Sequence, residues 1–496
     1  MGIGVLPTDF LAYAAFARQV GDRGAFLFVN PFTTEPQAPR FVLLFHWALG
    51  VLANLFGVSP LWILELSRIP LAFAFFWVLW RFTAVFLDKR EDRLWACGLV
   101  AFAGGLEGFV RCLDVFLPRD QAQTFEQQTW TLQGWNFFAA AYNPLWICAL
   151  ALTLIALKDA LIQAPRFTLG QALKLGLGIA VLQTVHPYSA IVVVAVCLGL
   201  LASKWVGGAR FELQWDGRVL LGVGVGVGLV GLLLWWQSLE PVFKASVGNT
   251  FGKRELAVFW YPVTLGMTGL LALRGACRDW SLDVPRRRVL LTWLAVVALL
   301  HSSPILNGYK FVIHLFLPVC LLAAPVVGRV YRRFYASGLL AKTGAALALA
   351  LTFGPALMVT VESMAQIGAI NEVPADYMRV VRAISAKPAG NVLAPVDLGN
   401  LIPAFAPHRV WFGHWFLTPD FRNRWETYEK LTADPRAKAQ LLALLDQQRI
   451  RYLVLAADRA ERLAKSLAGR MAQRTPLGDY ELWELSLRDR QRTEGQ

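Results

Sequence analysis

Long apolar runs separated by short polar, often basic, stretches fill the first three quarters of the chain. A hydrocarbon core about 30 Å thick takes about 20 residues of helix at 1.5 Å each. The runs therefore predict membrane-spanning helices over 61–87, 94–116, 137–157, 172–187, 188–203, 219–238, 258–276, 288–303, 309–328 and 342–361. The pair 172–187 and 188–203 is short in each half and meets at His186-Pro187-Tyr188; a single kinked helix is the alternative. Before them, 41–56 (FVLLFHWALGVLANLF) has only 16 residues and holds His46 and Asn54, which fits lying in the interface or re-entering better than crossing. From Glu372 the pattern changes to soluble α/β. Helices are expected over 374–386, 421–431 and 436–447, and strands at Asn391 to Ala394, Tyr452 to Leu455 and Tyr480 to Leu485. The fold class is thus a polytopic α-helical membrane protein of about ten or eleven spans with a C-terminal extracytoplasmic α/β domain. Its divisions are an outer N-terminal segment 1–60, a membrane domain 61–363, the α/β domain 372–487 and a charged tail 488–496.

Composition agrees. Apolar and aromatic residues make up 56% of the chain and charged residues 17%, against about 25% charged in ordinary soluble proteins, which excludes a simple cytosolic or disordered chain. Lys and Arg outnumber Asp and Glu by 48 to 34, a net +14. With 172–203 read as out and back, 18 basic residues fall on one side of the membrane and five (Arg119, Lys244, Lys253, Arg254, Lys310) on the other. Short cytoplasmic loops collect Lys and Arg, so the excess reports orientation and gives no reason to invoke nucleic acid. A single helix over 172–203 would move Arg274 to Arg288 outside and spoil the split, so two helices are expected. The C-terminal domain then lies outside the cytoplasmic membrane, a bacterial inner membrane being the expected location. Met1 to Phe10 has neither the basic region nor the apolar core of a signal peptide.

Six cysteines all fall in spans or at their inner ends. That excludes a disulfide framework in the tail and argues against cysteine metal sites; no cofactor or metal is assigned. The glycines of GVGVGVGLVG at 222–231 sit inside a span and read as close helix packing.

Polar groups inside apolar runs are informative, because a charge at the bilayer centre costs at least about 2.5–3.5 kcal/mol. They gather at the predicted outer ends: Glu65, Arg68, Glu107, Arg111, Asp114, Asn143, His186, Glu240, His301, Lys310 and His314. Snorkelling and capping explain Glu240 and Arg68. Glu107, set among Gly104, Gly105 and Gly108, needs a partner, and Arg111 stands at i+4 on the same face. Together they predict a wet cavity open to the outside. In the outer loop KASVGNTFGKRE, Lys253 and Arg254 are able to bind a phosphate by charge-assisted hydrogen bonds, the bland alternative being a solvated loop. In the tail, His414, in Gly413-His414-Trp415 near Asp420, reads as a structural histidine. Trp411, Trp415 and Trp425 read as core rather than as sugar-stacking surfaces.

A family resemblance rests on short motifs. Thr8-Asp9-Phe10-Leu11-Ala12-Tyr13 opens an amphipathic helix to Arg18, followed by Asn30-Pro31-Phe32 and Pro36-Gln37-Ala38-Pro39. Leu55-Phe56-Gly57-Val58-Ser59 and Ser67-Arg68-Ile69-Pro70 come next, and Gly308-Tyr309-Lys310-Phe311 precedes a span holding Pro318. This order resembles the multi-pass membrane glycosyltransferases of the C superfamily (GT-C), of the protein mannosyltransferase and aminoarabinose transferase types. The chain departs from that pattern in three places. No helix precedes Asp9, so either the first span inserts the chain or a helix lies upstream; the paired acidic motif is reduced to Asp9; and Lys310 stands where arginine is usual.

The resemblance implies transfer of a sugar from a polyprenyl-phosphate donor to a glycan, lipid or protein acceptor at the outer face. Asp9 would be the catalytic base, although a helix N-cap is its simplest structural role. Lys310, Lys253 and Arg254 would meet the donor phosphate, His301 would donate a hydrogen bond, and His186, Glu107 and Arg111 would line the cavity. A transporter or flippase for a lipid-linked or anionic solute is the alternative, though no inverted repeat relates the halves. A non-catalytic cell-envelope protein of the same architecture is a third reading.

Overall fold

The computed structural model describes residues 8–104, 143–161, 167–208, 210–248, 261–278, 284–303, 308–336, 338–370 and 373–486. They form two compact units. One gathers the N-terminal segment to Glu65, a stretch from Leu234 and the chain from Ile367; the other holds the remaining helices.

The helices begin with α1 (Thr8–Arg23), α2 (Leu44–Phe56), α3 (Pro60–Thr83), α4 (Arg90–Phe102) and α5 (Pro144–Leu161). They continue through α6 (Leu169–Val185), α7 (Pro187–Val206), α8 (Arg218–Ser238), α9 (Pro241–Gly248), α10 (Tyr261–Arg278) and α11 (Val284–His301). A 3-10 turn over Gly308–His314 leads to α12 (Phe316–Ala336) and α13 (Leu339–Ile370). Each predicted span overlaps a helix where it is described; 105–116, 137–142 and 258–260 lie outside the described residues. Among the described residues five stretches, Pro60–Thr83, Pro144–Leu161, Pro187–Val206, Leu213–Ser238 and Lys310–Arg333, are long and apolar enough to cross a bilayer. On α3, Trp62, Leu66, Ile69, Phe73 and Trp77 recur at helical spacing and are 56–75% exposed. Such a stripe is stable facing lipid and costly facing water. This is a membrane protein.

The doubtful pair resolves into two helices. Thr168 and Gln171 form a reciprocal capping box at the start of α6. His186 is extended (φ −150°), and Pro187, with no N–H to leave unpaired, opens α7. Beyond α7, Arg218 Nη1 donates to the Phe167 carbonyl at 2.6 Å, so the chain has returned to the end from which α6 started. The same end carries a buried pair, Lys204 Nζ to Asp216 at 3.0 Å. Further ion pairs among loops predicted for that side join Arg286 to Asp88 at 2.8 Å and Arg332 to Glu91 at 2.6 Å. At the centre of this unit α12 packs against α4, α10 and α11, and the most apolar window over Lys310–Arg333 is buried throughout.

The other unit is a three-layer α/β domain. After α14 (Ala375–Ser385) come β1 (Asn391–Leu393), α15 (Val396–Phe405), β2 (Arg409–Val410), α16 (Phe421–Ala433) and α17 (Lys438–Gln447). Then follow β3 (Ile450–Ala456), α18 (Ala457–Leu467), β4 (Met471–Pro476) and β5 (Tyr480–Leu485). The sheet order is β2-β1-β3-β5-β4, parallel across β2, β1 and β3 and antiparallel at β5 and β4. Strand alternation divides the core into two faces. Tyr452, Val454 and Leu482 point to one, where α14 and α15 pack. Leu453, Leu455, Trp483 and Leu485 point to the other, under α16, α17 and α18.

The first face is completed from the far end of the chain. Leu11, Ala12, Ala14 and Ala15 of α1 belong to the same buried cluster as Val392, Ile402 and Val454. Their small side chains let α1 lie close against α15, and Arg18 Nε donates to the Pro403 carbonyl at 3.0 Å. On its other flank, Phe16 and Val20 pack with Phe28 and Phe41. Helix α2, 13 residues long, packs on α1 and leaves Trp47, Val51, Leu52, Leu55 and Phe56 exposed.

Beneath α14, His408 is buried, with Nε2 donating to the Ile384 carbonyl at 2.9 Å and Nδ1 accepting from the Gly390 amide at 3.2 Å. Burial pushes this imidazole below its ordinary value of 6.5, so the folded state favours the neutral ring. The unfolded chain takes up a proton first as pH falls; the contribution to stability is full above about 6.5 and declines below it. Thermal unfolding of the full chain in detergent should show Tm falling between about pH 7 and about pH 5.5, with a smaller slope in His408→Gln.

Candidate functional site

Asp9 stands in the first turn of α1, where a negative charge is favoured by the helix N-terminus. Its Oδ1 lies 3.1 Å from His414 Nε2, a contact joining residues 405 positions apart. The imidazole is almost fully buried, at 4% side-chain exposure, while the carboxylate is 39% exposed. The ring's other nitrogen decides the proton's position. Nδ1 accepts from the backbone amides of Phe416 at 3.2 Å and Leu417 at 3.3 Å, which leaves the hydrogen on Nε2, directed at Asp9. The site therefore presents a partly exposed carboxylate held on one side by a buried donor.

Three local features hold the imidazole. Gly413 and Gly399 meet backbone to backbone, so that a Cβ on Gly413 would fall 2.4 Å from the Gly399 carbonyl. Thr418 Oγ1 accepts from the Gly413 amide at 3.1 Å and donates to the Phe32 carbonyl at 3.1 Å. Asn400 Nδ2 donates to the Gly413 carbonyl at 3.2 Å. The indole of Trp415 lies nearly parallel to the His414 ring, 6.2 Å between centroids, and is 47% exposed; Trp425 is likewise exposed, whereas Trp411 is buried.

The N-terminal loop is latched to the same domain. Asn30 Nδ2 donates to the Leu417 carbonyl at 2.7 Å, and the Val410 amide donates to the Pro31 carbonyl at 2.9 Å. Arg424 donates to the Trp411 carbonyl at 2.8 Å and pairs with Glu35. Glu240, read as structural, is buried and accepts from the Ala38 amide at 2.9 Å.

In the helical unit, polar residues gather at the end where α6 passes into α7. His186 Nδ1 is 2.8 Å from Ser189 Oγ, which is 2.9 Å from His314 Nε2, all three buried. Lys310 is half-buried, with its ammonium over the Trp146 ring at 5.9 Å. His301 ends α11, and a Cβ on Gly308 would sit 1.9 Å from its carbonyl oxygen; only glycine admits the turn that carries Lys310. Thus His186, His301 and Lys310 lie on neighbouring elements of one unit, while Asp9 belongs to the other. Glu107, Arg111, Lys253 and Arg254 lie outside the described residues. Among the described residues, no group of three His, Cys, Asp or Glu is arranged to hold a metal ion.

No protein-family model matches the chain, and no curated sequence matches it. Solved structures do. The oligosaccharyltransferase of Archaeoglobus fulgidus, tethered to an acceptor peptide, superposes with a TM-score of 0.55 at 10% identity, over 97% of this chain and 70% of that one. ArnT of Cupriavidus metallidurans bound to undecaprenyl phosphate gives 0.54 at 14% identity, over 97% and 93%. The same enzyme in its apo state gives 0.52 at 14% identity, over 96% and 92%. The fold is that of the GT-C membrane glycosyltransferases. Within this GT-C fold His414 is the residue that sequence reasoning took as structural, because nothing in the local pattern points from position 414 to position 9.

Gly413→Ala should force the two backbones apart and cost about 1–3 kcal/mol. It should be read as a lower Tm of the full chain in detergent, whereas Gly21→Ala, with open space around it, leaves Tm nearly unchanged.

Proposed function

We propose that this chain is a membrane glycosyltransferase that moves a sugar from a polyprenyl-phosphate donor to an acceptor at the outer face of the cytoplasmic membrane, with its C-terminal domain on that side. The observation that carries the reading is the partly exposed Asp9 carboxylate, hydrogen-bonded by a buried histidine, within a GT-C fold. Two of the similar proteins were crystallised with, respectively, undecaprenyl phosphate and an acceptor peptide, which supports a lipid-linked donor and leaves the acceptor class open.

Chemically the step needs one base. Asp9 takes the proton of the acceptor hydroxyl as its oxygen attacks the anomeric carbon, and the bond from that carbon to the phosphate oxygen breaks. The polyprenyl phosphate leaves as an anion, which calls for cations rather than an acid. Lys310, Lys253 and Arg254 are assigned to the phosphate, His301 to a hydrogen bond on the donor, and His186, Glu107 and Arg111 to the cavity wall.

Asp9→Asn keeps the size and hydrogen-bonding capacity of the side chain but removes the base. Membranes containing each protein, supplied with a panel of undecaprenyl-phosphate-linked sugars and endogenous acceptors, should release undecaprenyl phosphate with the wild type. The variant should be slower by about 10²–10⁴-fold at equal protein level. Release at the wild-type rate by Asp9→Asn would remove Asp9 as the base.

A further inference from the structure

We infer that His414 is a positioning residue for Asp9: its Nε2–H holds the carboxylate ionised and in one orientation, so the C-terminal α/β domain supplies a working part of the site opened by α1. The catalytic meaning of this rests on the transferase reading; the contact itself does not.

The chemistry follows from the imidazole's two nitrogens. With Nδ1 accepting two backbone amides, the ring has one hydrogen to give and gives it to Asp9 Oδ1. A donor aimed at a carboxylate favours its charged form. The same two amides block proton uptake at Nδ1, and Nε2 is already occupied, so His414 is no relay. A proton taken from an acceptor stays on Asp9 until water removes it. Burial matters too, since a ring at 4% exposure wedged beside Phe32 at 5.5 Å keeps its direction without the entropy loss a surface side chain would bear.

The charged groups on α1 and around the His414 loop make contacts of their own. On α1 itself Arg18 pairs with Asp22, and Arg23 bonds to Gln19. The elements packed on α1 bring His46 from α2 and Asp397 from α15, the latter accepting from the Tyr377 hydroxyl at 3.1 Å. Around the His414 loop, Arg424 and Glu35 pair with each other, and Arg409 donates to the Glu35 carbonyl at 3.2 Å. A substitution at His414 leaves all of these in place.

The test uses no substrate. Carbodiimides activate protonated carboxyls, so labelling of Asp9 with a water-soluble carbodiimide and an amine, quantified by peptide mass spectrometry across about pH 3 to 7, reports its protonation in the intact protein. In His414→Phe the half-labelling pH should rise by about one unit. In His414→Gln, whose amide reaches the Nε2 position and still donates, it should stay near wild type. If His414→Phe fails to fold by its unfolding profile, His414→Asn, too short to reach Asp9, takes its place with the same expected rise. An unmoved midpoint in the folded variant, or an equal rise in His414→Gln, overturns the inference while leaving the transferase reading standing. Transfer retained by Asp9→Asn does the reverse.

Discussion

Helix α1 is a structural layer of a domain that begins more than 350 residues after it. Leu11, Ala12, Ala14 and Ala15 fill one face of the sheet that β1, β3 and β5 build, and complete burial of even one large apolar side chain is worth about 1.5–3 kcal/mol. Without α1, that face of the sheet keeps α14 and α15 but loses a neighbour along the whole of α15. Asp9 sits one turn before these alanines, so the packing that stabilises the domain also fixes where the carboxylate starts. The loop after α1 adds directional contacts to the non-directional ones: Asn30, Pro31, Phe32 and Glu35 each bond to the tail.

The membrane unit is organised by charge at one end and by buried imidazoles and amides at the other. Ion pairs such as Arg286 with Asp88 and Arg332 with Glu91 are exposed and contribute little to stability, yet they show which loops share an end. His186, Ser189 and His314 form a different kind of arrangement, a buried chain of hydrogen bonds whose cost in an apolar bundle is offset only while each link is made.

Much of this was legible in the residues. Apolar runs of bilayer length located the helices of the membrane unit where they are described, and the basic loops pointed to the out-and-back path through His186 that the Arg218 to Phe167 contact bears out. Strands at β1, β3 and β5 were evident from their β-branched and aromatic runs. The pattern did not reveal β2, which has two residues, or β4, an edge strand with a polar sequence, MAQRTP, that carries no alternation. Nor did it reveal α15, where Gly399 and Pro403 disguise a helix. The site divides the same way. Asp9 was singled out as a candidate by its motif, but its contact with His414 was not, because a hydrogen bond across 405 positions leaves no periodicity behind. The close approach of Gly413 to Gly399 left no sign in the local pattern either.

The distance in sequence between α1 and its sheet has a consequence for how the molecule is made. Local helices form early in synthesis, whereas a contact spanning most of the chain has to wait for the last strand. From the time α1 leaves the ribosome until β5 is complete, its apolar face has no permanent cover, and any chain ending early within the α/β domain leaves it so. Assembly of Asp9 with His414 therefore waits until the α/β domain that holds His414 has been made. The helices of the membrane unit can thus be inserted before that pair exists.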